Sequence, residues 1–140
     1  MKIQILHNDN QKISGYESIN INNPNISEIL SQITPACCTS IVINESLNYT
    51  KDNSSNNILQ DIMSKLRKNG EIKVSILDFE NWAVEYLKNT SILSIINDCL
   101  PDVQRIVDKN SIIEAANVFG ISFYSIKKKN SMIIFEGIRN

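Results

Sequence analysis

One histidine and a few carboxylates carry whatever proton chemistry this chain can do. His7 follows the strand-like run Lys2–Leu6, and Asp9 lies just beyond it. Glu45 comes shortly after the β-branched run Thr39–Ile43, and Asp78 ends the run Glu71–Leu77. In a parallel α/β sheet, ligands gather at the carboxyl ends of the strands. His7, Asp9, Glu45 and Asp78 would then line one crevice, with Asn44 and Asn48 able to add hydrogen bonds. A histidine among carboxylates can act as a general acid-base pair or a weak metal site. The plainer reading, a cleft edged by solvated polar groups, is the expectation here, with no metal. Cys38 beside His7 would make a nucleophile and its base. Cys38 precedes an apolar strand, however, so a buried thiol is expected.

Those residues need elements to hold them. Lys2–Leu6 and Glu17–Ile21 read as strands around a polar loop, His7–Lys12. Ile26, Ile29, Leu30 and Ile33 recur at helical spacing, which predicts a helix over Asn25–Ile33, stopped by Pro35. The interval from Ile21 to Thr39 has room for a helix or a short third strand, hardly both. Tyr49–Asn57 is polar and reads as a loop. Ile58–Lys68 is the clearest helix, with Asn69-Gly70 as its terminator and Glu71–Leu77 as the next strand. Asn81–Leu87 and Ser91–Leu100 read as helical pieces, and Pro101-Asp102 as a break. Ser111 with Glu114 forms a capping box for a helix Ile112–Phe119, closed by Gly120. Ile121–Lys127 and Met132–Ile138 then form an antiparallel hairpin. The stripe Trp82, Tyr86 and Leu87 is expected in the core.

Strands alternating with helices imply a mostly parallel sheet covered on both faces, in a single domain over residues 1–140. The 42% hydrophobic and 21% charged content is that of an ordinary globular domain. A net charge of −1 gives no general pull toward nucleic acid, and Lys127-Lys128-Lys129 is too short a run to change that. No apolar run approaches a membrane span, and no signal peptide is visible. Cys37, Cys38 and Cys99 make a poor disulfide framework, so reduced thiols in a cytoplasmic protein are expected. Abundant Asn, Ile and Lys suggest an AT-rich bacterial or phage genome. No GxxxxGK[ST], H-E-x-x-H or G-x-S-x-G motif occurs.

The opening segment resembles one group of class I, Rossmann-like S-adenosylmethionine (SAM) dependent methyltransferases. Their pattern reads L-G-x-G, a spacer, then G-Y-x-x-V-D. Leu6, Gly15, Tyr16 and Ile19 fit it. His7 and Asp9 stand where its two glycines belong, and Asn20 where its acid belongs. Farther on, the family reads V-L-K-P-G-G-x-L-x-I-x-x-P-D, and Leu66, Lys68, Gly70, Ile72 and Asp78 fall on its positions. The resemblance implies a three-layer α/β sandwich, here truncated, with an antiparallel C-terminal strand. It implies a remnant cofactor cleft at His7, Asn8, Asp9, Asn20 and Glu45, with Asn44 and Asp78 nearby. Similar short methyltransferase-like proteins are familiar in tailed phages of marine bacteria.

The departures from the pattern are physical. Glycine lets a backbone approach a ligand closely, whereas His7 and Asp9 bring side chains into that space. Asn20 loses the charge-assisted bonds an acid makes to ribose hydroxyls. The stretch between the first two strands is too short for a normal helix, so no helix end meets the cofactor's carboxylate. The expectation is a degenerate, non-catalytic domain that binds or assembles with an unidentified protein and takes no cofactor. The alternative is a small active SAM-dependent methyltransferase with an atypical cofactor loop.

Overall fold

The computed structural model describes residues 1–50, 55–88 and 103–140. β1 (Lys2–Leu6) leads through a 3-10 turn (Asp9–Gln11) to β2 (Glu17–Asn20) and α1 (Ile26–Gln32). β3 (Cys38–Ile43), the short α2 (Ser46–Tyr49), α3 (Ser55–Ser64) and β4 (Leu66–Leu77) follow. α4 (Phe79–Lys88), α5 (Lys109–Val118) and the hairpin β5 (Ile121–Lys129) and β6 (Met132–Arg139) complete the described chain. The expected helical piece Ser91–Leu100, the break Pro101-Asp102 and Cys99 lie outside the described residues.

The strands form one sheet in the order β2-β1-β3-β4-β6-β5. β2, β1, β3 and β4 run parallel, and β6 is antiparallel to both of its neighbours. This is the predicted mostly parallel α/β sheet with an antiparallel C-terminal strand. Alternation puts Ile3, Ile5, Ile41, Ile43, Ile72, Val74, Ile76, Ile133 and Phe135 on one face. There they join Leu30, Ile62, Met63, Ile112 and Ala116 of α1, α3 and α5 in one buried cluster. The other face carries Lys2, Gln4, Ser40, Lys73 and Glu136. A shallow depression of about 250 Å³ lies on it, edged by Tyr16, Ser40, Val42 and Lys73.

The interval between β2 and β3 holds a helix, α1, which settles the choice between helix and third strand. α3 ends at Ser64, earlier than the Lys68 predicted from periodicity. The reason is tertiary. The carbonyls of Ser64 and Lys65 accept from the backbone N–H groups of Ala36 and Cys38, at 3.0 and 2.8 Å. Arg139 donates Nη1 to the carbonyls of Ser64 and Leu66. These partners replace the next helical turn, and Leu66 already pairs with Cys38. Asn69 does take the left-handed conformation expected of it, with φ 61°, but inside β4. The register slips there: Cys38 faces Leu66, yet Ser40 faces Glu71.

Two smaller expectations change. Asp108, not Ser111, caps α5, its side chain accepting from Asn110 N at 3.1 Å. Ser111 instead donates Oγ back to the Asp108 carbonyl. Of the apolar stripe on α4, Trp82 is buried, while Tyr86 is 43% and Leu87 84% exposed. The hairpin turns at Asn130-Ser131, both at positive φ.

Candidate functional site at the carboxyl edge of the sheet

The short β1–β2 connection needs something to hold it without a helix. That something is Gln4, a fully buried amide in the middle of β1. Its Nε2 donates to the Gln11 carbonyl at 2.6 Å. Its Oε1 accepts from Ile13 N at 2.9 Å and from Ser18 Oγ at 3.4 Å. One side chain thus ties the loop to the sheet from both ends. The satisfied amide also removes the cost of a buried polar group. Nothing in the sequence pattern singled out Gln4. The one available signal was a polar residue inside an apolar strand, flanked by a loop rich in backbone donors.

Above Gln4, the loop carries its side chains to the crevice. Gln11 donates Nε2 to Glu45 Oε1 at 3.2 Å, spanning the ends of β1 and β3. Gln11 Oε1 is buried with no hydrogen-bond partner. Burial raises the Glu45 carboxyl above its ordinary range, while the Gln11 bond acts in the opposite sense. The His7 ring lies flat on Tyr49, with centroids 3.8 Å apart and planes 10° from parallel. Tyr49 belongs to α2, so the stack ties the residue after β1 to the helix that follows β3.

The remaining site residues separate into two groups. Asn8 turns back on its own chain, accepting from Asn10 N and capping the 3-10 turn. Asp9 points to solvent, its side chain 76% exposed and 3.7 Å from Lys12 Nζ. Asn20 accepts from Asn22 N at 2.9 Å, and Asn22 Nδ2 reaches the Tyr49 carbonyl at 3.0 Å. Asn44 continues the ladder, its N–H donating to the Ile5 carbonyl. His7, Asn20, Asn44 and Glu45 thus stand at the ends of β1, β2 and β3, with Gln11 bonded to Glu45 and Tyr49 stacked on His7, two contacts that the sequence did not reveal.

Asp78 belongs to a different neighbourhood. Its side chain is buried, and Oδ1 accepts from Asn81 N at 3.1 Å, so it caps α4. Oδ2 lies 3.7 Å from Lys128 Nζ. It borders a depression of about 280 Å³ between residues 77–80 and 106–109. Asn48 is structural: its Oδ1 accepts from Leu77 N at 3.0 Å, and its Nδ2 donates to the Arg105 carbonyl at 3.3 Å. Its own carbonyl takes the N–H groups of Gln104 and Arg105. Cys38 is fully buried, and burial first, then neighbouring Cys37, push its thiol up to about 12. Cys38 opens β3 whereas His7 follows the far end of the parallel β1, so the two do not meet as a nucleophile and its base. Among the described residues, no cluster of three metal-ligating side chains forms. No described helix is long and apolar enough to cross a membrane.

Sheet order, the antiparallel β6 and the loop over the carboxyl edge together define the fold. It is that of the class I SAM-dependent methyltransferases in shortened form. No protein-family model matches the sequence, and no curated protein matches it. Solved structures do. A SAM-dependent methyltransferase from Archaeoglobus fulgidus superposes with TM-score 0.60 at 9% identity, over 97% of this chain and 75% of that one. One from Thermotoga maritima gives 0.55 at 13% identity, over 90% of this chain and 65% of that one. The magnesium protoporphyrin IX methyltransferase of Synechocystis, solved with bound SAH, gives 0.54 at 11% identity, over 91% and 53%. The chain thus spans less than two thirds of the length of several structures it resembles. At such identities the likeness establishes the fold.

Proposed function

We propose that this chain is a degenerate methyltransferase-like domain that works by binding or assembly and does not transfer methyl groups. The observation that carries the reading is the Gln11–Glu45 bond across the carboxyl edge, where a cofactor would lie in this fold. Three further features support it. The Asn20 acceptor that would face ribose hydroxyls is turned onto Asn22 N. A 3-10 turn with Asp9 in it stands where a helix N-terminus would meet a carboxylate. His7 fills its side of the edge by stacking on Tyr49. On this reading these residues do not fit SAM in the pose that the fold supports, and the chain transfers no methyl group. A phage or bacterial cytoplasm, with a protein partner, is the setting this reading favours.

Thermal unfolding with and without millimolar SAM or SAH tests it. A ligand at 100 times its Kd stabilises the folded state by about 2.7 kcal/mol, a shift of several degrees for a domain of this size. No shift with either compound is the expected result. A saturable shift would overturn the proposal and favour a small active enzyme with an atypical cofactor loop.

A further inference from the structure

Cys37 and Cys38 stand at the opposite, amino edge of the sheet and take no part in the reading above. Side chains of successive strand residues normally point to opposite faces. Cys37 precedes β3 and escapes that alternation, and the two Sγ atoms lie 3.8 Å apart with both thiols free. The backbone explains it. Ala36 is left-handed, at φ 55°, and turns the chain just ahead of β3. Hydrogen bonds from Ala36 N to Ser64 O and from Cys38 N to Lys65 O fix that turn. Cys37 is half-buried and Cys38 fully buried, so Cys37 is the more accessible of the pair.

A direct disulfide suits this pair badly. Neighbouring Cα atoms sit about 3.8 Å apart, below the roughly 4.4 Å minimum of ordinary disulfides. A bridging atom is less constrained. With bonds of about 2.3 Å, as between zinc and thiolate, sulfurs at this separation subtend roughly 110° at the bridge. Such an angle suits a soft centre with bent coordination. The buried Lys65 ammonium close to Cys38 would repel a dication there. A neutral electrophile whose own oxygen accepts the protons avoids that difficulty.

We propose that Cys37 and Cys38 form a vicinal-dithiol site for neutral trivalent arsenicals. For an organoarsenic oxide, two As–S bonds form and the As–O bond breaks. The two thiol protons leave with the oxygen as water, and arsenic stays trivalent, so no oxidant or reductant is needed. Cys37 reacts first because it is the accessible thiol, and Cys38 closes the ring.

Folded protein treated with phenylarsine oxide and read by intact mass tests the assignment. One arsenical per chain is expected, in wild type and in Cys99→Ser alike. A 1,2-dithiol should strip it, while a monothiol at equal thiol concentration should not. Cys37→Ser should weaken capture by about 10²- to 10⁴-fold, the usual gain from a second linked contact. Cys38→Ala should do the same, with circular dichroism confirming its fold. The half-buried Cys37 variant decides the matter if the core variant does not fold. Capture that survives Cys37→Ser, vanishes in Cys99→Ser or is reversed by the monothiol would overturn the proposal.

Discussion

Gln11 and Glu45 meet across the carboxyl edge of the sheet, Nε2 donating to Oε1 at 3.2 Å. The contact joins a loop that follows β1 to the residue that opens α2. It places a carboxylate where burial disfavours its charge, and the amide offsets part of that cost. The sign of the resulting pH dependence follows. Burial raises the Glu45 carboxyl in the folded state above its ordinary value of 4.5. The folded chain then binds more protons than the unfolded one in the window just above that value. Stability is fully present below the window and falls as pH rises through it.

Glu45→Gln should therefore flatten the fall in stability between the ordinary carboxylate range and neutrality. The new amide keeps an oxygen to accept from Gln11. At neutral pH the variant should be as stable as wild type or more so, within about 1 kcal/mol. Urea unfolding at several pH values checks this. A variant clearly less stable at neutral pH would mean that the Gln11 bond outweighs burial.

Gln4→Leu should release the loop that carries Gln11. The Gln11 carbonyl and Ile13 N–H lose their partners, at 2.6 and 2.9 Å, and the leucine fills the space without replacing them. An unmet buried backbone group costs about 1–3 kcal/mol. The loss should concentrate locally, as faster amide exchange at Ile13 and in the adjoining turn. Uniform loss across the sheet would contradict a local tie.

The sheet and most of its helices were legible because their apolar residues repeat at the period of two or near 3.6. The site was legible less evenly. Strand ends placed His7, Asn44, Glu45 and Asp78 on one edge, since that follows from parallel topology alone. Which of them touch depends on loop partners that carry no periodic signal. Gln4 looked like an ordinary polar residue, and Gln11 like part of a polar loop. The end of α3 is not legible locally for a related reason. Local propensity favoured helix to Lys68, but Ala36, Cys38 and Arg139 claimed the carbonyls first.

Asp108→Ala and Ser111→Ala separate local pattern from structure at the start of α5. The sequence signature Ser111 with Glu114 points to Ser111 as the cap, whereas Asp108 makes the capping bond. Losing a side-chain cap typically costs about 1 kcal/mol. Asp108→Ala should show that loss in urea unfolding, and Ser111→Ala should cost less than half as much. The reverse order would restore the capping-box assignment.

Gly137→Ala probes a close approach in the hairpin. Gly137 of β6 faces Phe123 of β5 beside the register shift in β5. A Cβ at Gly137 would lie 2.7 Å from the Ser122 carbonyl and 2.7 Å from Phe123 Cδ1. The ring could swing away, but the carbonyl is fixed by the sheet. Overpacking of this kind costs about 1–3 kcal/mol. A decrease of that size in unfolding free energy is expected.

Asn48 is the sharpest test of the division between site and scaffold. It lies beside the crevice and is fully buried, yet each of its polar side-chain atoms serves the backbone of another segment. Asn48→Leu would strand Leu77 N–H at the end of β4 and remove the side-chain tie to the Arg105 carbonyl, leaving the backbone bonds from Gln104 and Arg105 in place. Two lost buried hydrogen bonds, one leaving an unmet donor, should cost about 2–4 kcal/mol. If Asn48 instead served a ligand, the substitution would leave the free protein's stability within about 0.5 kcal/mol, as for a group away from such ties. Urea unfolding of the ligand-free variant distinguishes the two, and exchange at the Leu77 amide locates the loss.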